Sequence, residues 1–268
     1  MVISDYLINS LHLSYNLVSP YYILTIMNPN SQRKRGFTLI ELLVVITIIG
    51  ILATVAIGPM GDLIFGASKD ASGTSLKEMF KKLQTESDNT QVKWPGKETI
   101  GSAQGFAPWF VKKTSMDDAG IWFLPNDPSI EALEDDDKVI PDKILNKEGS
   151  LDDFKSAFGY EIAVPDTKFY TIKTQPPSGP FPVMWTRGLG EGDSESEWGA
   201  DSPWEGEGGH VLFSDGKVKW YETTKDEDGD TAGVFKKWRK RGDDQDDSFT
   251  ANIEDAIPDG WEVLKPES

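Results

Sequence analysis

The sequence predicts an α+β protein, with a long N-terminal helix packed on a small antiparallel sheet and long loops between the strands. Three observations carry this reading. An unbroken apolar run from Phe37 to Ile57 is followed by a one-sided apolar pattern that continues to Leu83, so one helical segment leads into another. Beyond residue 89 the apolar residues come in short groups separated by Gly, Pro, Asp and Asn, which punctuate strands and loops. The stretch His210–Tyr221 (HVLFSDGKVKWY) reads as a β-hairpin, with Asp215-Gly216 supplying the positive φ angles of a two-residue turn.

The apolar run FTLIELLVVITIIGILATVAI comes first in the argument. Its length, about 20 residues, is what a helix needs to cross a hydrocarbon core of roughly 30 Å. It is apolar on every face, whereas a helix buried in a soluble core is usually amphipathic. Arg33-Lys34-Arg35 stands just before it and holds that end in the cytoplasm by the positive-inside rule, which puts the rest of the chain across the membrane. A cleaved signal peptide also pairs a basic and an apolar region. This run is longer than a usual signal core and no small-x-small site ends it. Only Gly36 separates it from the basic residues, and its sole ionisable residue, Glu41, lies four positions past Phe37. An intramembrane carboxylate costs roughly 2.5–3.5 kcal/mol at a helix centre and less near an end, so it is usually functional and partnered. The amine of a neighbouring subunit is a suitable partner, provided that cleavage after Gly36 creates an N-terminus at Phe37.

Lys34-Arg35-Gly36-Phe37-Thr38-Leu39-Ile40-Glu41, with the apolar run behind it, closely resembles the prepilin-type cleavage and methylation motif of type IV pilins and type II secretion pseudopilins. The resemblance implies that Gly36 precedes the scissile bond and that Phe37 becomes the N-methylated N-terminus. It also implies that Glu41 is the acidic residue needed for methylation and subunit register. The fold it implies is pilin-like. Residues 1–36 are then a leader, 37–58 a transmembrane helix, 59–88 its continuation and 89–268 an acidic extracytoplasmic globular domain. Gly58-Pro59 lies close to where this family often places a helix-kinking proline. Translation from Met27 would give the short leader MNPNSQRKRG, typical of the class in length and charge, which favours an over-extended gene start.

In the continuation, Leu63, Ile64, Ala67, Ala71, Leu76, Met79, Phe80 and Leu83 recur near three- and four-residue spacing. Gly66 and Gly73 weaken this helix without ending it. Further on, residues 105–116 predict a short aromatic helix, 120–125 a buried strand and 131–142 a solvated acidic loop. Strands are expected at 160–164, 169–173 and 181–187, a basic helix at 233–241 and a last short helix or turn at 253–261, after an acidic break at 243–247. The Gly-Gly-His lead into the 210–221 hairpin resembles the C-terminal part of large pseudopilin-like families of planctomycetes and verrucomicrobia.

Composition narrows the function classes. The 268 residues are 38% hydrophobic with nine Trp, enough for a packed core. A net charge of −17 speaks against binding nucleic acid or anionic headgroups. The absence of Cys removes disulfides, thiol catalysis and cysteine-bound zinc. Of the two histidines, His12 and His210, the first falls in the leader, and His210 is expected to bond to backbone. No nucleophile elbow, zinc-protease helix or phosphate loop is present. No catalytic residue is named, and the chain is read as a non-enzyme. Calcium is the one cofactor left open: residues 188–201 (GLGEGDSESEWGAD) are rich in Gly and carboxylates, with no ligand assigned, whereas 226–230 (DEDGD) lacks the turn glycine of a calcium loop, has Lys237 where its last carboxylate belongs, and reads as a solvated acidic turn.

The expected function is that of a structural pilin or pseudopilin subunit of a type II secretion or type IV pilus-like system. It would be anchored by one span in the inner membrane, with its globular domain on the far side, either there or in a filament. Its partners would be a prepilin peptidase and other pilin or pseudopilin subunits. The alternative is a membrane-tethered module that holds glycan or another exported ligand on exposed Trp residues.

Overall fold

The computed structural model describes residues 36–57, 60–90, 93–125, 127–134, 143–144, 157–165, 170–171, 179–226, 232–239 and 248–267. Residues 1–35, Met27 among them, Gly58-Pro59, residues 227–230 and residues 243–247 lie outside them. The chain divides into two compact units, Met1–Val55 and Ala56–Ser268.

The described part of the first unit is residues 36–38 and helix α1 (Leu39–Ile57), whose last two residues fall past the division. From Leu39 to Thr54 every side chain is exposed, so no apolar stripe turns toward a core. Thr47 and Thr54 donate their hydroxyl hydrogens back to the carbonyls of Leu43 and Gly50, each at 2.7 Å. The helix thus meets the needs of its own polar side chains. No helix among the described residues is long and apolar enough to cross a membrane. The portion of α1 with described side chains, residues 39–54, rises about 24 Å at roughly 1.5 Å per residue.

Helix α2 (Met60–Thr90) opens the second unit. Its buried residues Ser72, Gly73, Leu76, Met79, Phe80 and Leu83 form one stripe, as the spacing predicts for its second half. The first half differs. Leu63 and Ile64 are 71% and 58% exposed, and Ala67 and Ala71 also face outward. The packed side runs instead through Phe65, edge-on to Trp204, and Lys69, whose Nζ lies 3.6 Å from the centre of the Trp220 ring. A cation–π contact and a buried serine are polar, so a search for hydrophobic spacing follows the wrong side of the helix.

The main sheet has five antiparallel strands in the order β6-β5-β4-β2-β9: β2 (Tyr160–Pro165), β4 (Pro182–Thr186), β5 (Gly209–Phe213), β6 (Val218–Tyr221) and β9 (Trp261–Leu264). Two small pairs flank it, β1 (Lys93–Trp94) with β3 (Tyr170–Thr171) and β7 (Phe235–Lys236) with β8 (Phe249–Thr250). Both faces of the main sheet are covered. Ile162, Val164, Met184 and Leu212 join a core with α2, Ile100 of the short helix α3 (Lys97–Ile100), α4 (Phe106–Thr114) and Trp122. Ala163, Trp185 and Val211 point the other way, toward Trp198, Phe235 and Ile253. Two-sided burial explains why β2 and β4 are buried at every position.

The hairpin falls where the sequence puts it, in a different register. Leu212 pairs with Val218 and His210 with Trp220, so three residues, Ser214 to Gly216, form the loop. Gly216, at φ +84°, donates to the Phe213 carbonyl at 2.8 Å, a turn closed by a glycine bulge. Ser214 is drawn out of the ladder by Phe181: its N–H donates to the Phe181 carbonyl, and its hydroxyl accepts from the Phe181 N–H. A one-residue shift reverses the facing of a strand. Val218 and Trp220 therefore share a face with Leu212 and His210, not with Val211 and Phe213.

Other segments depart from expectation. Ile121 to Leu124 are buried but make no strand. Ala119–Ile121 is a turn of 3-10 helix capped by Asp118, which accepts from the Gly120 N–H at 2.9 Å, and Trp122 lies against Phe106, Phe110 and Phe158. Residues 131–134 are not loop but the end of α5 (Pro128–Glu134), which starts with Pro at its first position and Asp127 accepting from the Ser129 N–H. Over the described residues 233–239 of the expected helix stands β7 instead, led by Gly233 at φ +74° packed against the Thr250–Ala251 backbone, while residues 240–241 lie outside the described residues. After the 3-10 turn Ile253–Ala256, residues 261–264 supply an edge strand the sequence reading lacks.

Candidate functional site

The N-terminal motif is built around the start of α1. Thr38 is the cap: its carbonyl accepts from the Leu42 N–H at 3.2 Å, the first turn of the helix. The Thr38 N–H and hydroxyl both donate to Glu41 Oε2 at 2.8 Å, and the Glu41 N–H donates to Thr38 Oγ1 at 3.3 Å. This reciprocal arrangement is a capping box, which satisfies helix N–H groups that have no intrahelical partner. Glu41 therefore has a local use, one the sequence reading overlooked although Thr-x-x-Glu is its written signature. Just ahead, Gly36 is exposed with nothing within 4 Å of where a Cβ would stand, and Phe37 is 79% exposed. Residues 36–38 are non-helical and exposed, and Glu41 lies one helical turn past Phe37.

In the second unit, buried charge gathers at the end of β4. Arg187 donates through Nη1 to the Asp201 carbonyl at 2.9 Å and through Nη2 to Ser129 Oγ at 2.7 Å and to the Asp127 carboxylate. Asp127 is fully buried, and burial raises its pKa against the pull of Arg187. Glu161 on β2, 3% exposed, accepts from the Gly188 N–H at 3.0 Å and the Trp185 indole at 3.1 Å. Burial raises its pKa as well, with Lys265 opposing. The two groups pin the start of the 188–209 loop, which Trp198 closes by donating to the Thr186 carbonyl at 2.9 Å. A cavity of about 260 Å³ beside them has mixed lining: Glu161, Arg187, Glu191 and Lys265.

The 188–201 stretch left open for calcium lines a groove through Asp193 and Glu197, with Glu205, Glu207 and Glu222 from the following residues beside them. Among the described residues, no group of three or more His, Asp or Glu residues is placed to hold a metal ion. His210 is buried, and its ring meets the Ser72 side chain rather than the backbone expected, with Nδ1 3.1 Å from Ser72 Oγ. The nine tryptophans also bear on function. Trp94, Trp122, Trp185, Trp198 and Trp204 are buried, and Trp109, Trp220, Trp238 and Trp261 half-buried. None of the nine falls among the exposed residues.

Residues 31–57 match the family model of the prokaryotic N-terminal methylation motif. The match is confined to this N-terminal segment and fits a type IV pilin- or pseudopilin-like precursor. No curated protein and no solved structure matches the chain.

Proposed function

We propose that this chain is a prepilin-class structural subunit, cut by a prepilin peptidase between Gly36 and Phe37 and assembled into a pseudopilus or type IV pilus-like filament. The methylation motif over residues 31–57 carries the reading. The helix behind the junction supports it, being apolar on all sides with one carboxylate near its start. In this reading the run Phe37–Ile57 crosses the inner membrane, its roughly 30 Å rise matching the hydrocarbon core. Arg33-Lys34-Arg35 stays in the cytoplasm, and the acidic domain lies on the far side. After cleavage the Phe37 amine of one subunit pairs with Glu41 of a neighbour, and each charge offsets much of the other's burial cost. The partners are the peptidase and other pilin-type subunits, with no chemistry of the chain's own.

Co-expression with a prepilin peptidase, followed by N-terminal sequencing, tests the first step. The mature chain should begin at Phe37, and Gly36→Leu should leave a full-length precursor in the membrane. A wild-type chain that remains uncut, or a Gly36→Leu chain that matures normally, overturns the assignment.

A further inference from the structure

His210 is the one histidine of the second unit, and it sits where α2 meets the sheet. Its ring fills the space left by Gly73: a Cβ there would stand 2.7 Å from Nε2. Trp220 packs at 4.9 Å between ring centres and Trp204 at 6.3 Å, both edge-on. Ser72 Oγ stands 2.9 Å from the Lys69 carbonyl and 3.1 Å from Nδ1, so it bridges the α2 backbone and the ring. Nε2 stands against Gly73, the residue whose missing side chain makes room for the ring. The neutral ring suits this site, whereas an imidazolium would bring a positive charge into a largely buried space walled by Gly73 and two indoles.

We propose that His210 is an acid-operated clasp between α2 and the sheet, closed while the ring is neutral and opened by its protonation. The charged groups acting on the ring are Lys69, Asp70 and Lys77, all on α2. Trp220 on β6 and Trp204 in the 188–209 loop carry no charge, and Thr186 of β4 accepts from the His210 backbone N–H at 3.0 Å. Two cations against one carboxylate make α2 a poor host for a third positive charge. Burial first, then Lys69, hold the ring's pKa down at about 4, against 6.5 for an exposed ring, with Asp70 opposing. A lowered folded-state value means that the clasp is fully closed above pH 6.5 and weakens as the pH falls toward 4. What opens is the segment that joins the motif helix to the globular fold.

Native-state hydrogen exchange on the full chain in detergent tests this, following the amides of residues 72–83 at pH 7.5 and pH 5.0 after correction for intrinsic rates. Local opening there should rise about 30-fold at the lower pH, the ratio a shift from 6.5 to about 4 implies. His210→Gln, which can still meet Ser72 but does not titrate, should show no such rise. Unchanged protection in the wild type, or an equal loss in His210→Gln, overturns the clasp and assigns any acid effect to carboxylates. Should the variant not fold, the wild-type ring decides alone by its NMR titration: a midpoint well below 6 upholds the clasp, and one at 6.5 or above ends it.

Discussion

A carboxylate at the third position of a helix can accept from the helix's own first N–H groups, and Glu41 does so through Thr38. It can serve as cap, as partner to a neighbour's amine, or as both. Gln at this position keeps the capping box and loses the charge, while Ala loses both. If the proposed register depends on charge, Glu41→Gln and Glu41→Ala should both be cleaved and inserted normally, and both should fail to crosslink to wild-type helices in cells with the assembly machinery. A Gln variant that crosslinks like wild type would reduce Glu41 to a cap. Gly73 offers a residue-scale test elsewhere. Alanine is favoured over glycine in a helix by about 1 kcal/mol. Here its methyl would strike His210, which Trp204 and Trp220 prevent from retreating. Overpacking costs about 1–3 kcal/mol, so Gly73→Ala should lower stability in urea denaturation where helix propensity alone predicts a gain.

At the scale of elements, the 188–209 loop is held by buried ions contributed by its neighbours. Arg187 joins three segments through Asp127, Ser129 and Asp201. Removing one partner of a buried pair typically costs about 3–5 kcal/mol, because the other charge stays buried and unpaired. Arg187→Met should therefore destabilise the second unit by roughly that amount, measured by denaturant titration at pH 7. The sign with pH is fixed by Asp127. Its folded-state pKa is already raised by burial and rises further without Arg187, so the stability tied to its neutral form is present at low pH and lost as pH increases. The variant's deficit should shrink as pH is lowered through the carboxylate range. A deficit that grows with acid would show that Arg187 serves some charge other than Asp127.

For the whole molecule, the boundary between helix and globular domain is an energetic matter. Leu76, Met79, Phe80 and Leu83 of α2 belong to the same core as Phe106, Trp122, Ile162 and Leu212. The globular fold thus needs α2, and residues 89–268 alone lack a wall of their core. A chain of residues 61–268 should be soluble and monomeric by gel filtration with a cooperative melt, since no further apolar run of membrane length occurs in it. A chain of residues 89–268 should aggregate or melt without cooperativity. Equal behaviour of the two would detach α2 from the fold.

The sequence by itself determined the parts of this protein governed by local pattern. The basic run, Gly36-Phe37 and Glu41 are contiguous, and the apolar helix needs no tertiary partner to declare itself. Most strands and the aromatic helix α4 were legible for a similar reason, as short β-branched or aromatic groups between turn residues. Tertiary structure decided what depends on distant partners. Phe181 drew Ser214 from the ladder and turned the hairpin by one residue, which placed His210 beside Trp220 on the α2 side. The α2 stripe passes through Lys69 and Ser72 because Trp220 and His210 receive them. Trp122 is buried in a helical turn because α4 and Phe158 surround it, and Asp127 and Arg187 lie 60 residues apart until the fold joins them. Local pattern reports which residues avoid water, whereas register, pairing and the tolerance for buried charge depend on which neighbour arrives, and that is a property of the folded chain alone.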